Sequence, residues 1–249
     1  MPLPPVGTQL IVFGGKYNVE RDIEAILDTL QKAGYDGVEG GPKDAQAYRK
    51  MLDARGLRYS GAHVTLPNLA DVTSLVADLK TLGSSDVCNS GLLSWNDRTA
   101  GDYRASIAAL NEAGRKLRAQ GIHLHYHNHD FEFEKVEGDK TGMDLLIEGL
   151  DPQACDLCVD VAWVQKGGHN PVEFLERHKA IIGYVHLKDF DSEGWTELGR
   201  GEVDLGAIVK QLETMPDVRW AVAEQDKTRN DAMDSVTESR RYLRDKLNY

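Results

Sequence analysis

Eight times along the chain, a short run of β-branched and other apolar residues is followed by a longer segment whose apolar positions recur every three or four residues. The first run, residues 8–13, closes on Gly14 and Gly15. Asn18 then stands where a helix N-cap is wanted, and Ile23, Ile26, Leu27 and Leu30 trace one helical face until Gly34. The same signals predict strands at residues 36–39, 58–63, 86–88, 122–126, 156–160, 181–187 and 219–224. Helices are predicted between them. One runs through Leu52 to Gly56, and others cover residues 72–82, about 102–120 with Gly121 as C-cap, and 145–150. Another starts at Pro171, a further one spans 205–215, and a last amphipathic helix passes through Val236 and Leu243.

Strands that alternate with helices make a parallel sheet, and eight of them close on themselves. The predicted architecture is α/β, a (β/α)8 barrel forming one domain over residues 1–249, with no linker-like stretch to divide it. An open doubly wound sheet would want a glycine-rich phosphate loop after its first strand, and Gly14-Gly15-Lys16 lacks that spacing.

Composition narrows the function rather than the fold. Forty acidic residues against 29 basic ones give a net charge of −11, a surface that repels phosphate backbones, so nucleic acid is not the expected partner. Three cysteines make no disulfide framework at this size, which fits a reducing, cytoplasmic setting. Residues 1–8 show neither the basic nor the apolar region of a secretory signal, and no apolar run is long enough for a membrane span.

In a (β/α)8 barrel the active site lies at the C-terminal ends of the strands, so the residue that ends each strand carries the information. Those residues are Glu39, His63, the run His127-Asn-His129-Asp-Phe-Glu132, Asp160, His186 with Lys188 and Asp189 beyond it, and Glu224. Carboxylates and imidazoles converging from neighbouring strands suit a divalent ion (Mn, Zn, Co, Fe or Mg), and the absence of cysteine from the set disfavours a structural zinc site. Each position also has a plainer reading. A strand-end histidine is more often a hydrogen-bonded structural residue, Glu39 fits a helix cap equally well, and Asp160 fits a turn. His127 and His129 support one another because a two-residue spacing puts them on one face of a strand. Trp163 reads either as core or as a wall against a sugar ring. Cys155-Asp-Leu-Cys158 has no second pair and reads as incidental, and Gly199-Arg-Gly201 reads as a loop turn. The acidic run 132–139 reads as a solvated loop apart from Glu132.

The runs Tyr126-His-Asn-His-Asp-Phe-Glu-Phe133, Val159-Asp-Val-Ala-Trp163, Val185-His-Leu-Lys-Asp189, Gly199-Arg-Gly-Glu-Val-Asp204 and Ala223-Glu224 resemble the sugar phosphate isomerase/epimerase family. That family belongs to the xylose isomerase-like barrels, with inosose dehydratases, ketose 3-epimerases and the endonuclease IV group. The resemblance implies one divalent metal ion held by Glu, Asp, His and Glu from successive strands, and Asp160, His186 and Glu224 match the last three. The first ligand is Glu132 or His127. Glu132 is preferred, because three carboxylates and one imidazole suit a hard ion better.

The resemblance further implies a metal-dependent isomerase or epimerase working through an enediolate of a keto-sugar or related polyol. Glu132 and Glu224 would be base and acid on opposite sides of the substrate, and His63, His127, His129, Trp163 and Lys188 would contact it. The alternative is an inosose or 3-keto-glycoside dehydratase or lyase on the same metal site. Trp163 stands where ketose 3-epimerases tend to carry a histidine, which weakens a direct transfer of their mechanism. An abasic-site endonuclease would need more ligands than eight histidines in all readily supply, together with basic loops. A barrel that binds without catalysing is disfavoured by the complete ligand set. Barrels of this group often pair through helical faces or loops, so a homo-oligomer is an open expectation.

Overall fold

A computed structural model describes residues 2–249; Met1, part of the segment read for a signal, lies outside the described residues. Eight parallel strands form a closed barrel: β1 (Val6–Gln9), β2 (Gly37–Glu39), β3 (Arg58–Thr65), β4 (Asp86–Ser90), β5 (His123–His127), β6 (Cys155–Asp160), β7 (Ile182–Leu187) and β8 (Ala221–Ala223). Each pairs with its sequence neighbours, and β8 closes on β1 with Gly7 opposite Val222. Around it lie α1 (Val19–Ala33), α2 (Ala45–Asp53), α3 (Thr73–Leu82), α4 (Ala100–Arg118), α5 (Gly142–Gly149), α6 (Val161–Lys166), α7 (Pro171–His178), α8 (Leu205–Leu212) and α9 (Ala232–Leu247). No helix of the described residues is long and apolar enough to cross a membrane.

The helices start where short polar side chains can satisfy the free N–H groups of a first turn. Asn18 accepts from the Arg21 N–H at 3.1 Å, and Thr99 with Asp102, like Thr141 with Asp144, forms a reciprocal capping box. Gly34 ends α1 in the left-handed region at φ 91°, where a side chain would be strained. Gly121 is also left-handed, but α4 ends earlier, at Arg118, and Ala119 is its C-cap. The first strand departs most from its apolar run. It occupies Val6–Gln9, and Leu10–Gly15 winds into a 3-10 turn whose first N–H groups include Ile11, held by the Gln9 side chain.

Two cores result. The larger fills the space between barrel and helices. The smaller, Cys88, Cys158, Tyr184, Trp220 and Val222, lies inside the barrel. The barrel interior is asymmetric. A Cβ on Gly7, Gly37 or Gly61 would press on Val222, Arg58 or Asp86, so β1–β3 come in thin. Alternate residues of β4–β7, at the two-residue period of a strand, supply instead polar groups: Asp86, His125, His127, Asp156, Asp160 and His186. At the N-terminal end His125 is fully buried between Asp156, which contacts its Nδ1, and Asp86, 3.0 Å from its Nε2. Burial alone would lower the His125 pKa, but the two carboxylates push it up to about 10, so the ring is a buried imidazolium.

The loop after β7 is shaped by Asp189. Its carboxylate accepts from the backbone N–H groups of Phe190, Gly199, Gly201 and Val203 at 3.0–3.1 Å. A Cβ on Gly201 would sit 2.2 Å from Asp189 Oδ1, so Gly199-Arg-Gly201 is a turn built around this carboxylate. Glu197 ties the same loop to α9 by accepting from Ser235 Oγ at 2.7 Å and Asn230 Nδ2 at 3.1 Å. Burial opposes ionisation of Glu197, but these donors hold its pKa down to about 2. A carboxylate depressed on folding contributes stability above its unfolded pKa, lost as pH falls through the folded one. The wild-type urea midpoint should therefore fall between about pH 4.5 and 2, more steeply than that of Glu197→Gln. Parallel acid limbs for the two proteins would refute this role.

Candidate metal centre

At the C-terminal end of the barrel, one donor atom from each of His127, Asp160, His186 and Glu224 falls within 4.8 Å of every other. All four residues are buried. Each is held by one polar atom and offers the other to the centre. Asp160 caps α6, its Oδ1 accepting from the Ala162 and Trp163 N–H groups at 3.0 Å, which leaves Oδ2 free. The Glu224 Oε1 accepts from Lys188 at 3.0 Å, leaving Oε2. The His186 Nε2 donates to Glu39 at 2.9 Å, leaving Nδ1. The His127 Nδ1 lies 3.3 Å from Ser90 Oγ, leaving Nε2. All four remaining atoms, Asp160 Oδ2, Glu224 Oε2, His186 Nδ1 and His127 Nε2, are buried and without a hydrogen-bond partner. His186 Nδ1 and Glu224 Oε2 touch without the angles of a hydrogen bond. His127 Nε2 lies 3.6 Å from both carboxylates.

One assignment of protons satisfies the supporting shell. His186 Nε2–H and His63 Nδ1–H donate to the two oxygens of Glu39, at 2.9 and 2.7 Å. The Ser90 hydroxyl donates to His63 Nε2 at 2.5 Å and accepts from His127 Nδ1–H. This leaves a lone pair on His186 Nδ1 and on His127 Nε2, the tautomers that metal ligation requires. Burial opposes a charged His127, yet Asp160 and Glu224 push its pKa up to about 10, and His186 is raised as well, chiefly by its Cys158 and carboxylate neighbours against burial. A pair of carboxylates that draws protons onto two buried imidazoles is a place that wants a cation. Two imidazole nitrogens and two carboxylate oxygens suit a divalent ion of the zinc, manganese, iron or cobalt kind.

Three of the four residues expected to hold the ion therefore stand together, the fourth donor atom beside them is that of His127, and Glu132 is not in the cluster. Glu132 is buried, but both its oxygens are used elsewhere: Tyr126 Oη donates to Oε1 at 2.8 Å and the His129 N–H to Oε2 at 2.7 Å. It braces the turn after β5. The barrel strand delivers His127 directly at its end, whereas Glu132 lies a 3-10 turn beyond. His127 and His129 also do not share a strand, since β5 stops at His127; their rings still approach to 5.0 Å. His63 lies beside the set, its ring 5.3 Å from that of His127.

Lys188 closes the site from β7. Its ammonium is fully buried, 3.0 Å from Glu224, 2.8 Å from Asp226 and 3.6 Å from Asp160. Burial favours its neutral form, but the carboxylates, Glu224 first, raise its pKa and keep it charged. Trp163 and Trp195 face the ammonium at 5.0 and 4.3 Å, and His129 sits between Trp163 and the half-exposed Trp95. The His129 Nδ1 is buried and unpartnered. An aromatic wall thus borders a charged floor, a setting for a polyol ring.

Residues that strand-end reading passed over include Glu39 as a bracket for two histidines, Ser90, Asp226 and Trp195. Ser90 and Asp226 follow the two-residue period after Cys88 and Glu224, a signal present in the sequence; Trp195 arrives on a hairpin (Asp189–Asp191 with Gly194–Thr196) and has none.

Comparison with known proteins agrees with this fold. The family described as xylose isomerase-like TIM barrel matches residues 27–246. An inosose dehydratase of Geobacillus kaustophilus is 24% identical over 219 residues, 78% of this chain and 70% of the relative. A sugar phosphate isomerase/epimerase from Parabacteroides distasonis superposes with a TM-score of 0.84 at 23% identity, covering 98% of this chain and 94% of the other. The IOLI protein, described with a binding zinc atom, has a TM-score of 0.78 at 13% identity, with 98% of each chain covered.

Proposed function

Because the chain belongs to the xylose isomerase-like TIM barrel family, we propose that it is a metal-dependent dehydratase removing water from a keto-polyol or keto-sugar, by proton abstraction beside the carbonyl. The observation that carries the choice of elimination is the one-sidedness of the site. Returning a proton to the opposite face of a substrate calls for two bases across it. The centre offers one glutamate, Glu224, since Glu132 is turned away to Tyr126 and His129. This departs from the isomerase or epimerase expected from the sequence, which needed Glu132 opposite Glu224. The inosose dehydratase relative is consistent with elimination.

A divalent ion held by His127, Asp160, His186 and Glu224 would polarise the substrate carbonyl and its neighbouring hydroxyl. Burial opposes the charge of Glu224, but Lys188 and His186 keep it ionised, and its Oε1, released by Lys188, takes the proton from the α-carbon. The electron pair of that C–H bond passes into an enediolate whose charge Lys188 faces. It then expels the β-hydroxyl, which takes from Glu224 the proton removed from the α-carbon and leaves as water, so Glu224 ends ionised again. Trp163 packs on the ring and keeps solvent out. The aromatic wall and Lys188 fit a neutral, hydroxyl-rich substrate.

With inososes and 3-keto-glycosides in deuterated water, metal-loaded enzyme should give an absorbing enone together with solvent-exchanged α-hydrogen, and chelated enzyme should give neither. Exchange with no loss of water would instead support an epimerase or isomerase. Neither exchange nor enone across inososes, ketoses, ketose phosphates and 3-keto-glycosides would remove the carbonyl-adjacent chemistry altogether.

A further inference from the structure

The opposite, N-terminal end of the barrel holds a cavity of about 730 Å³, outside the catalytic machinery. Arg58 at the start of β3, Arg118 at the end of α4, Arg219 before β8 and His123 at the start of β5 all line it. Three guanidinium groups from three separate elements meet here on a chain whose net charge is −11, so the cluster does not follow from overall composition. From these groups we infer a second ligand site, one that binds a phosphate-class oxyanion.

Two of the three positive charges have no carboxylate partner among the described residues. Arg219 is committed to Asp86, its Nε 2.5 Å from Oδ1, and Asp156 on the cavity wall is committed to His125. Arg58 lies over the Trp220 ring at 4.5 Å, and neither it nor Arg118 forms an ion pair among the described residues. Asp217, the remaining carboxylate of the wall, is exposed. Arg118 spends Nε on the Gln153 carbonyl at 3.1 Å and turns Nη1 to the His123 ring, 2.7 Å from Nδ1 and 3.1 Å from Nε2. A guanidinium has no acceptor capacity, so a protonated ring would set donor against donor and cation against cation, and the neutral imidazole is favoured. Burial and the two nearby arginines push its pKa down to about 4. A planar cation stacked on an indole, a second cation turned inward and an imidazole able to gain a proton are the donors that a tetrahedral dianion takes, two of them in fork geometry. The volume admits more than bare phosphate, and a phosphate monoester fits the same donors.

Calorimetric titration with inorganic phosphate at low ionic strength should show one saturable site in wild type. The same site should persist in Asp160→Asn, which alters only the far end of the barrel. Arg58→Ala with Arg118→Ala should weaken it by about tenfold or more. In the unaltered protein, the NMR titration of His123 should move upward from about 4 by at least about one unit when phosphate is added, because an anion favours the imidazolium. A hexose 6-phosphate binding more tightly than phosphate would identify an organic ester as the ligand; equal affinity would identify the free anion. An unmoved His123, or phosphate binding that survives loss of both arginines or disappears in Asp160→Asn, would overturn the inference.

Discussion

His186→Ala should lose the divalent ion and drop kcat by about a thousandfold or more, as expected when several kcal/mol of charge stabilisation are removed. His186 joins the two layers of the centre, with one nitrogen aimed at the other three ligand atoms and one held by Glu39 at 2.9 Å. Its removal takes a ligand and leaves a buried carboxylate with one donor fewer. Glu39→Gln separates these effects. An amide can still accept from one histidine, so the tautomer of His186 is less firmly set while the ligand remains. Metal affinity should then fall by about 10–100-fold, the usual cost of losing such a supporting partner. Elemental analysis and steady-state rates check both variants. Full metal content and near-normal kcat in His186→Ala would show that the ion, or the reaction, belongs elsewhere.

His125→Leu should cost about 3 kcal/mol of stability, because it takes the shared cation from the buried Asp86 and the half-buried Asp156. Arg219 still faces Asp86 but does not pair with Asp156. Urea unfolding of the metal-loaded protein measures the change, and a loss under about 1 kcal/mol would mean that the two carboxylates find other partners or water. The residue touches no part of the centre, so the folded fraction of the variant should keep its metal.

The strand–helix alternation, the cap at Asn18 and the helix start at Pro171 are legible, because apolar periodicity, short polar caps and a first-turn proline are local properties. Strand ends are less so. The apolar run 8–13 continues past the point where β1 leaves the sheet, and only the Gln9 side chain and the burial of Phe13 between layers decide the change. Asp160, His186 and Glu224 could be found because a barrel delivers strand-end residues to one place. Charge count and ion hardness favour Glu132 as a third carboxylate, while the turn after β5 turns its oxygens to Tyr126 and the His129 N–H, a contact that no local pattern records. Glu39 was read as evenly a cap or a ligand; its two histidine partners lie 24 and 147 residues away, a relation no local pattern records. His125 was passed over although it sits two residues before His127, because a buried imidazolium needs Asp86 and Asp156 from the neighbouring strands.

The central claim is that His127 completes the ligand set with Asp160, His186 and Glu224. Its most direct test is metal content per chain after chelation, reloading and desalting, compared between His127→Ala and Glu132→Ala. One ion per chain is predicted for wild type, with His127→Ala losing most of it and Glu132→Ala, where its fold is intact by circular dichroism, retaining most. An ion kept by His127→Ala and lost by folded Glu132→Ala would contradict the arrangement.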